Sequence, residues 1–499
     1  MKKESLWLAT SHLPTFPKLE GDLEVDVVVV GGGITGLTTA YLLKKSGCSV
    51  AVVDQKDVGC GETAHTTAHV TFVTDSRLHE LVDSVGKPQA HALWDAGLGG
   101  MRQIEEIATE LQVECELRHV PGFLFAALDK DADEETKSLE RDAGLAEEMG
   151  FDANFLKSDP IFNRPAICFP NQLKFHPLKY VKALAEAVPG NGCHVFGNTR
   201  GSDIDKESHE LRTDQGVIRY KVLVAATHVP VQGERGTLGA ALFQTKLAGY
   251  STYAIEAGIP CTPEALFWDT NDPYRYMRFD QGQNGCSVII GGEDHKTGQE
   301  KDTEACYDRL EKALMRSFPA ARPAHRWSGQ VLETPDGLPY IGEVSENQLL
   351  ATGFSGNGMT LGTFSAMLIR DIITGMPNAH SDLFSPHRIA LKGTWEYLRE
   401  NKDFPAYLVK SHLKPAASLD ELHRCSGAVI DVDGKKRAVY CDQHGKRTIL
   451  SPVCPHMGCV VAWNEAEKSW DCPCHGSRFA ATGKLITGPA EADLTPANS

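Results

Sequence analysis

The sequence predicts an α/β protein with three parts: a unit built on a parallel sheet, a second unit of antiparallel strands, and a small all-β unit at the C-terminus. Three observations lead to this prediction. A β-branched run, a glycine-rich turn, a helical stretch and a second apolar run follow one another near the N-terminus. Short strand-like runs between turn residues fill residues 246–290. Cysteine and histidine residues cluster between residues 454 and 475.

Length and composition limit the class of protein. A chain of 499 residues is too long for one ordinary core and indicates several domains. The net charge of −16 argues against nucleic acid or an anionic membrane as the main partner. No apolar run is long enough to span a bilayer, and the N-terminus lacks the features of a signal peptide. Since the 14 cysteines are spread over a large chain, we expect a cytoplasmic protein with no membrane span.

The N-terminal pattern is typical of a Rossmann-type dinucleotide-binding unit. Gly31 permits the tight turn after the first strand, Gly33 lets the backbone approach a pyrophosphate, and Gly36 lets the helix pack closely on the strand. Asp54 ends the second strand, where a carboxylate can accept a hydrogen bond from a ribose hydroxyl. The three glycines and Asp54 are therefore candidate cofactor-binding residues.

Two further segments are suited to contact with a ligand. Residues 59–68 are small and hydroxylated, which favours a loop whose backbone lies against a ligand rather than a core element. Residues 349–362 pass through glycines into a predicted helix, whose first N–H groups are free to face an anion or a carbonyl. The candidate binding residues in these segments are Thr63, Ala64, His65, Thr66, Gly353, Gly358, Met359 and Thr360.

Together these segments resemble the D-amino-acid oxidase superfamily, which includes glycine oxidase and sarcosine oxidase. The resemblance implies an FAD-binding domain of the Rossmann type and a substrate domain whose antiparallel sheet forms a wall over the flavin. It also implies that residues 59–68 and 349–362 lie against the isoalloxazine ring.

The resemblance leaves the role of His65 open. In the dimethylglycine and sarcosine dehydrogenases of this superfamily, a histidine in a Gly-Ser-Thr-x-His-Ala-Ala-Gly stretch is bonded covalently to the flavin. Gly61, Thr63 and His65 match that pattern, whereas Glu62 and the following threonines depart from it. His65 therefore either bonds the flavin covalently or forms a hydrogen bond with the flavin or a neighbouring loop.

A tyrosine and an arginine are the candidate substrate-contacting residues. Strand alternation places Tyr274, Tyr276 and Arg278 on one face of a predicted strand. The resemblance implies that Tyr276 and Arg278 contact substrate from the wall over the flavin. The alternative is an ordinary exposed strand, because tyrosine and arginine alternate on many of these.

The C-terminal cluster supplies a metal-ligand pattern. Cys454 and His456 form a C-x-H pair, and Cys472 and His475 form a C-x-x-H pair. Two thiolates and two imidazoles are the ligands of a mixed [2Fe–2S] centre, in which the imidazoles raise the reduction potential. A zinc site is the alternative, because zinc takes the same ligand types.

This pattern and the residues after it resemble the Rieske [2Fe–2S] domain, which implies a small β-sandwich carrying two cluster loops. Cys459 and Cys474 occupy the positions that form a disulfide between the loops in high-potential members of that family. Ser477 keeps the hydroxyl that those members direct at a bridging sulfide, whereas Phe479 replaces a tyrosine that they direct at a cysteine ligand. We therefore expect a reduction potential below theirs.

The resemblances predict a discontinuous division of the chain. The predicted parts are an FAD-binding domain (1–95, 170–245 and 320–380), a substrate domain (96–169 and 246–319), a linker (381–415) and a Rieske domain (416–499).

The combination of parts predicts the direction of electron flow. The sequence has no second strand–glycine-turn–helix pattern for a nicotinamide cofactor, so electrons are expected to enter from an organic substrate. The resemblance implies hydride removal from a carbon bearing an amine. Reduced FAD holds two electrons and the cluster accepts one, so they would leave one at a time to an external electron acceptor.

Two other functions stay open at this point. The chain could be an electron-transfer or redox-sensing protein without an organic substrate of its own. It could also be an amine oxidase that uses oxygen and keeps the cluster for structure.

Overall fold

The computed structural model describes residues 1–230, 246–282, 285–388, 422–432 and 434–497. Two large sheets with their helices form the body of the chain up to residue 388, and two small sheets form the C-terminal part. The predicted fold class is confirmed.

The first large sheet is mainly parallel. The second half of its central strand, Leu23–Val30, is apolar and buried on both faces from Val27 to Val30, as a parallel sheet covered by helices requires. In spatial order the main strands are Tyr340–Ser345, Gln348–Thr352, Val217–Ala225, Leu23–Val30, Val50–Val53 and His194–Phe196. Of these, Tyr340–Ser345 alone runs antiparallel to its neighbour. Gly201–Asp205 and Glu210–Thr213 extend the sheet beside Val217–Ala225.

Helices cover this sheet and complete the main core. Helix Ile34–Lys45 follows the glycine turn directly and is buried from Ile34 to Leu43, because it packs against helix Gly358–Thr374. The other helices of the described residues are Leu6–Thr10, Leu78–Val85, Lys87–Glu110, Ala132–Glu148, Pro177–Ala187, Thr303–Ser317 and Ser381–Phe384, with short 3₁₀ turns at Glu62–Ala64 and Ser355–Asn357.

The second large sheet is mainly antiparallel and contains the strands expected within residues 246–290. In spatial order its strands are Lys2–Lys3, Arg322–Glu333, Ala248–Ile259, Gly285–Lys296, Tyr276–Gly282, Ala265–Asp269, Arg118–Phe125, Ala166–Lys174 and His69–Val70, with Asn154–Leu156 beside Ala166–Lys174. Helix Thr303–Ser317 buries Tyr307 and Leu310 against one face of this sheet.

Two predicted domain boundaries differ from the sheets that the structure shows. Arg322–Glu333 was expected in the FAD-binding part, but it pairs with Ala248–Ile259 in the antiparallel sheet, from Ala248 opposite Glu333 to Gly258 opposite Arg322. Ala166–Lys174 crosses the boundary predicted at residue 170 and also belongs to this sheet. Local patterns could not reveal this, because a strand's sheet is decided by its distant pairing partner.

The start of the predicted linker is part of the body. Phe384 is buried in the main core, and Arg388 forms an ion pair with Asp336 at 2.8 Å. The rest of the predicted linker, from residue 389 to residue 415, lies outside the described residues.

The C-terminal part is all-β, as predicted. One sheet contains Ser426–Val432, Lys435–Cys441 and Arg447–Leu450, and the other contains Ala462–Asn464, Ser469–Asp471, Arg478–Ala480 and Leu485–Thr487. Trp470, Phe479 and Leu450 lie in their common core. Within the described parts of the chain, no helix has the length and hydropathy needed to cross a membrane.

Candidate functional site

The glycine turn after the first strand is shaped as the sequence predicted. Gly31 adopts a φ of +109°, which favours glycine, and a side chain there would collide with the carbonyl of Ala226. A side chain at Gly36 would collide with the carbonyl oxygen of Gly31, so the helix can approach the strand only with glycine at this position. A Cβ at Gly33 would lie 3.0 Å from the Thr63 hydroxyl. The turn is therefore a bare backbone surface.

Asp54 supports this turn from the end of the second strand. Its carboxylate accepts hydrogen bonds from the backbone N–H groups of Gly32 and Lys56, both at 2.8 Å. Burial raises the pKa of Asp54, and these two hydrogen bonds oppose the rise. The carboxylate thus holds the glycine turn in place and also lines the cavity beside it.

A cavity of about 800 Å³ lies along the turn. Eight of the predicted cofactor-binding residues line it: Gly31, Gly33, Asp54, Thr63, His65, Thr66, Gly358 and Met359. The structure therefore brings together three segments that are far apart in the sequence. The Nε2 atom of His228, in the same wall, is buried and has no hydrogen-bond partner among the described residues. A bare glycine turn, a large cavity and an unpaired buried nitrogen fit a bound dinucleotide.

Four predicted residues lie behind this lining. Gly36 packs helix on strand, and Ala64 is fully buried in a small core with Trp7. Gly353 has a φ of +76° in the turn before the 3₁₀ segment, and the Thr360 hydroxyl donates to the carbonyl of Thr71 at 3.0 Å. These residues shape the cavity without facing it.

Two tryptophans hold the loop that contains His65. The indole N–H of Trp327 donates to the carbonyl of His65 at 2.8 Å, and that of Trp7 donates to the carbonyl of Thr66 at 2.6 Å. The Nδ1 atom of His65 forms a 3.0 Å hydrogen bond with the carbonyl of Gly61. His65 thus makes a contact within its own loop, and the covalent bond to flavin stays a prediction.

One end of the cavity combines tyrosines and carboxylates. The Tyr276 hydroxyl lies 2.8 Å from that of Thr252, and Thr252 in turn hydrogen-bonds Asp294. The Tyr274 hydroxyl donates to Asp75 at 2.7 Å. Burial raises the pKa of Asp294 to about 7 and also raises the pKa of Asp75.

The sequence prediction missed Asp75, Asp294 and Thr252. Asp294 had a usable signal, because it is a charged residue inside the strand Gly285–Lys296. Asp75 had none, since it lies in a polar loop. Its carboxylate also accepts from the backbone N–H of Gly356 at 2.6 Å, which ties the loop to the segment before helix Gly358–Thr374.

Arg278 does not line this cavity, which corrects the predicted substrate contact. Its guanidinium pairs with Asp280 at 2.9 Å, donates to the carbonyls of Ala68 and Phe175, and lies over the ring of Trp7. The side chain is 2% exposed. Tyr276 faces the cavity, but two residues further along the strand Arg278 is enclosed by the core beside Trp7.

The C-terminal ligand residues lie on two similar loops. In the first loop, Gly458 N–H donates to the carbonyl of Cys454 at 3.0 Å; in the second, Gly476 N–H donates to that of Cys472 at 3.0 Å. The ring centres of His456 and His475 are 5.0 Å apart. A disulfide joins Cys459 to Cys474, with Cα atoms 6.5 Å apart, so both loops are fixed side by side.

The electrostatics of these four residues suit metal ligation. Burial lowers the pKa of His456 and of His475 to about 4, so both rings are neutral near pH 7. A hydrogen bond from the Cys472 thiol, aided by one from the backbone N–H of His456, lowers the pKa of Cys454 to about 7. The same contact raises the pKa of Cys472, because two adjacent thiolates repel each other. A cation between the sulfurs would relieve that repulsion, and both ring nitrogens of His456 are buried without a partner among the described residues.

A different group, Cys459, Cys472 and Cys474, also has sulfur atoms close enough for one ion. Two of its members are joined in the disulfide and offer no thiolate, so the predicted set of Cys454, His456, Cys472 and His475 is the better donor set.

Comparison with known proteins bears on both sites. The profile of the FAD dependent oxidoreductase family, DAO, matches residues 26–372. This chain belongs to that family. The profile of the Rieske [2Fe–2S] domain matches residues 412–497, which contain all four predicted ligand residues. FAD and a [2Fe–2S] cluster are therefore its cofactors, and the zinc alternative was wrong.

Three similar proteins show how far the resemblance extends. The Bacillus subtilis (strain 168) Rieske 2Fe-2S iron-sulfur protein YhfW is 32% identical over 98% of this chain and 96% of its own length. The gamma-glutamylputrescine oxidoreductase of Escherichia coli (strain K12) is 25% identical over 74% of this chain and 87% of its own. The structure of glycine oxidase from Geobacillus kaustophilus, at 20% identity, covers 74% of this chain and 99% of its own with a TM-score of 0.60.

Proposed function

We propose that this FAD-dependent oxidoreductase oxidises an amine or amino acid at a C–N bond and passes the electrons, one at a time, through its Rieske domain to an external acceptor. One observation carries the proposal. The same cavity is lined by the dinucleotide turn, by the tyrosine–carboxylate group and by residues of the C-terminal domain, including Arg478 and Thr487.

We propose definite roles for the predicted residues. The cavity-lining candidates that surround the glycine turn would hold FAD, and Cys454, His456, Cys472 and His475 would hold the cluster. The buried Trp327 and Trp7 would keep the His65 loop against the flavin through their hydrogen bonds to its carbonyls.

The reaction has a simple balance. The nitrogen of the cationic amine first loses a proton and the carbon then loses a hydride, so an iminium ion forms that water can hydrolyse. FAD, when bound, supplies the hydride acceptor, and the cluster carries single electrons away. Asp294 can accept the nitrogen's proton near neutral pH, because burial raises its pKa to about 7. Thr252 and Tyr276 orient this carboxylate through their hydrogen bonds.

The charge of the cavity favours a cationic amine. Asp75 and Asp294 lie at the tyrosine end, where a carboxylate can pair with an ammonium group. Within the described lining, the basic residues are Lys56, Arg200 and Arg478. The backbone N–H of Lys56 donates to Asp54, Arg200 donates to the carbonyl of Glu491, and Arg478 pairs with Asp471 at 3.4 Å. The similar E. coli protein is named for an amine substrate, which agrees with this reasoning.

An anaerobic substrate screen tests the proposal. Amines and amino acids are added singly to the purified holoprotein while flavin absorbance and the electron paramagnetic resonance (EPR) signal of the cluster are recorded. We expect a cationic amine to bleach the flavin first and to reduce the cluster afterwards. Rapid reduction of both centres by NADH alone would overturn the scheme. Failure of every amine and amino acid to reduce the flavin, with both centres intact, would favour the redox-sensing alternative.

The cytoplasmic location stays a prediction.

A further inference from the structure

The cluster loops of the C-terminal domain lie directly on the antiparallel sheet. The contact surface includes Gly249, Thr297, Gly298 and Gln330, which we call the cluster seat, and beside it the Gln299 amide donates to the carbonyl of Pro473 at 3.0 Å. These residues come from one strand end, one turn and a second strand, so no local pattern in the sequence marks them.

At Gly298 the backbone of the antiparallel sheet contacts the backbone of the second cluster loop, next to the predicted ligand Cys472. It has a φ of +78°, and a Cβ there would lie 2.8 Å from the nitrogen of Pro473 and 2.9 Å from the carbonyl carbon of Cys472. Those distances are shorter than any side chain permits, so only glycine lets the sheet reach this loop without displacement.

Gln330 contacts the same loop beside His475, the second predicted ligand on it. Its amide nitrogen donates to the carbonyl of Gly476 at 2.9 Å and to the Thr297 hydroxyl at 3.2 Å. A Cβ at Gly476 would lie 3.6 Å from the Cα of Gly249, so the two backbones are in contact here as well. Gln330 is 3% exposed, and its hydrogen bonds are therefore shielded from water.

The same residue reaches the flavin side. The backbone N–H of Gln330 donates to the Glu62 carboxylate at 2.7 Å, and Glu62 belongs to the loop that carries His65. A Cβ at the preceding Gly329 would lie 3.3 Å from the carbonyl of His65. Gln330 also lines the dinucleotide cavity. One residue thus joins the predicted flavin loop to the loop of His475.

Contacts away from the seat hold the domain in this position. The backbone N–H of Ala466 donates to the Thr303 hydroxyl at 3.1 Å, and the Tyr307 hydroxyl donates to Glu467 at 3.1 Å. Ala466 is 4% exposed and lies in the core beneath the antiparallel sheet. The domain is therefore packed into the body of the protein rather than merely resting on it.

We propose that the cluster seat is the electron-transfer junction of this protein and that Gln330 is its positioning residue. The inference rests on the proposed function only in taking the flavin as the electron donor. Each substrate delivers two electrons; the cluster is reduced by one, passes it to an external one-electron acceptor, and is then reduced by the second. Because the loops are already in contact through Gln330, both transfers occur within one chain and without movement of the C-terminal domain.

The test uses light instead of a substrate, so that it does not depend on the amine reaction. The holoprotein is photoreduced anaerobically by a deazaflavin donor in a short flash, and reoxidation of the flavin is followed together with reduction of the cluster. In wild type we expect a rate that depends neither on protein concentration nor on added viscogen. A rate that rises with protein concentration, or falls with viscosity, would overturn the inference.

Gln330→Leu removes the amide and keeps a similar volume. We expect it to slow this transfer by about tenfold, the effect of losing one buried hydrogen bond, with unchanged cluster EPR and unchanged midpoint potentials of both centres. Gln103→Leu is the matched control, because Gln103 is a buried glutamine whose amide donates to Glu106 within helix Lys87–Glu110. Transfer at the wild-type rate in Gln330→Leu would show that Gln330 does not position the junction. A negative amine screen would leave both results unaffected.

Discussion

Asp294 is expected to lower the free energy of unfolding, because it places a carboxylate in a buried position at the tyrosine end of the cavity. Its Oδ1 atom is buried without a hydrogen-bond partner among the described residues, and Asp75 adds a second carboxylate nearby. Burial raises its pKa from 3.8 to about 7. Asp294→Asn removes the charge and keeps the shape, so the variant should be more stable where the wild-type carboxylate is ionised.

The sign and size of this effect follow from linkage. At a pH between the two pKa values the unfolded chain ionises Asp294 while the folded protein keeps it protonated, so the stability of wild type falls as the pH rises through this range. Above the folded pKa both states are ionised and the penalty is constant. Between about pH 5.5 and about pH 8.5 the advantage of Asp294→Asn should grow by about 2 kcal/mol.

Urea denaturation of the holoprotein, followed by tryptophan fluorescence at both pH values, measures this difference. Asp308→Asn is the matched control, because Asp308 is exposed on helix Thr303–Ser317 and the same substitution there removes no buried carboxylate. The reasoning would be refuted if Asp294→Asn raised the free energy of unfolding equally at both pH values, or lowered it at the higher pH. The same variant should oxidise its amine more slowly, because it cannot accept the proton.

Three further substitutions test the other sites. Tyr276→Phe should lower kcat/KM for the amine by about tenfold, because it loses the hydrogen bond to Thr252, and the cluster EPR should stay unchanged. An unaltered kcat/KM would show that Tyr276 is not part of the substrate site. Arg278→Gln should lower the free energy of unfolding by about 3 kcal/mol, because it disrupts a buried ion pair, whereas kcat/KM of the folded enzyme should stay near wild type. A large loss of kcat/KM in a variant that stays folded would support the substrate contact first predicted for Arg278. Phe479→Tyr, in the core around the cluster, should raise the midpoint potential in a redox titration, and a zero or downward shift would contradict the hydrogen-bond account.

The cofactor sites were predictable because each depends on short segments. The glycine turn at Gly31 and Gly36 needs bare backbone at fixed spacing, and the structure has the φ value and the close approach that the spacing implied. The pairs Cys454/His456 and Cys472/His475 are equally local, since each occupies one tight turn. The Cys459–Cys474 disulfide, which the structure contains, was indicated only by the resemblance to high-potential Rieske domains.

The tyrosine end of the cavity was only half predictable. Alternation identified Tyr276, which faces the cavity, but the same argument failed for Arg278. The face of a strand is a local property, whereas the point at which a cavity ends depends on what packs beside the strand, here Trp7 and the carbonyl of Phe175. Asp75 and Asp294 were missed because they are more than two hundred residues apart and meet only after folding.

By itself, the sequence determined the fold class and both cofactors and predicted the four cluster ligands, because these depend on backbone freedom and ligand chemistry over a few neighbouring residues. The tertiary structure alone decided which strands share a sheet, which carboxylates face the cavity and where the cluster loops lie. Those features are contacts between distant segments, such as Gln330 with Gly476 and Gly298 with Cys472, and nothing local encodes them.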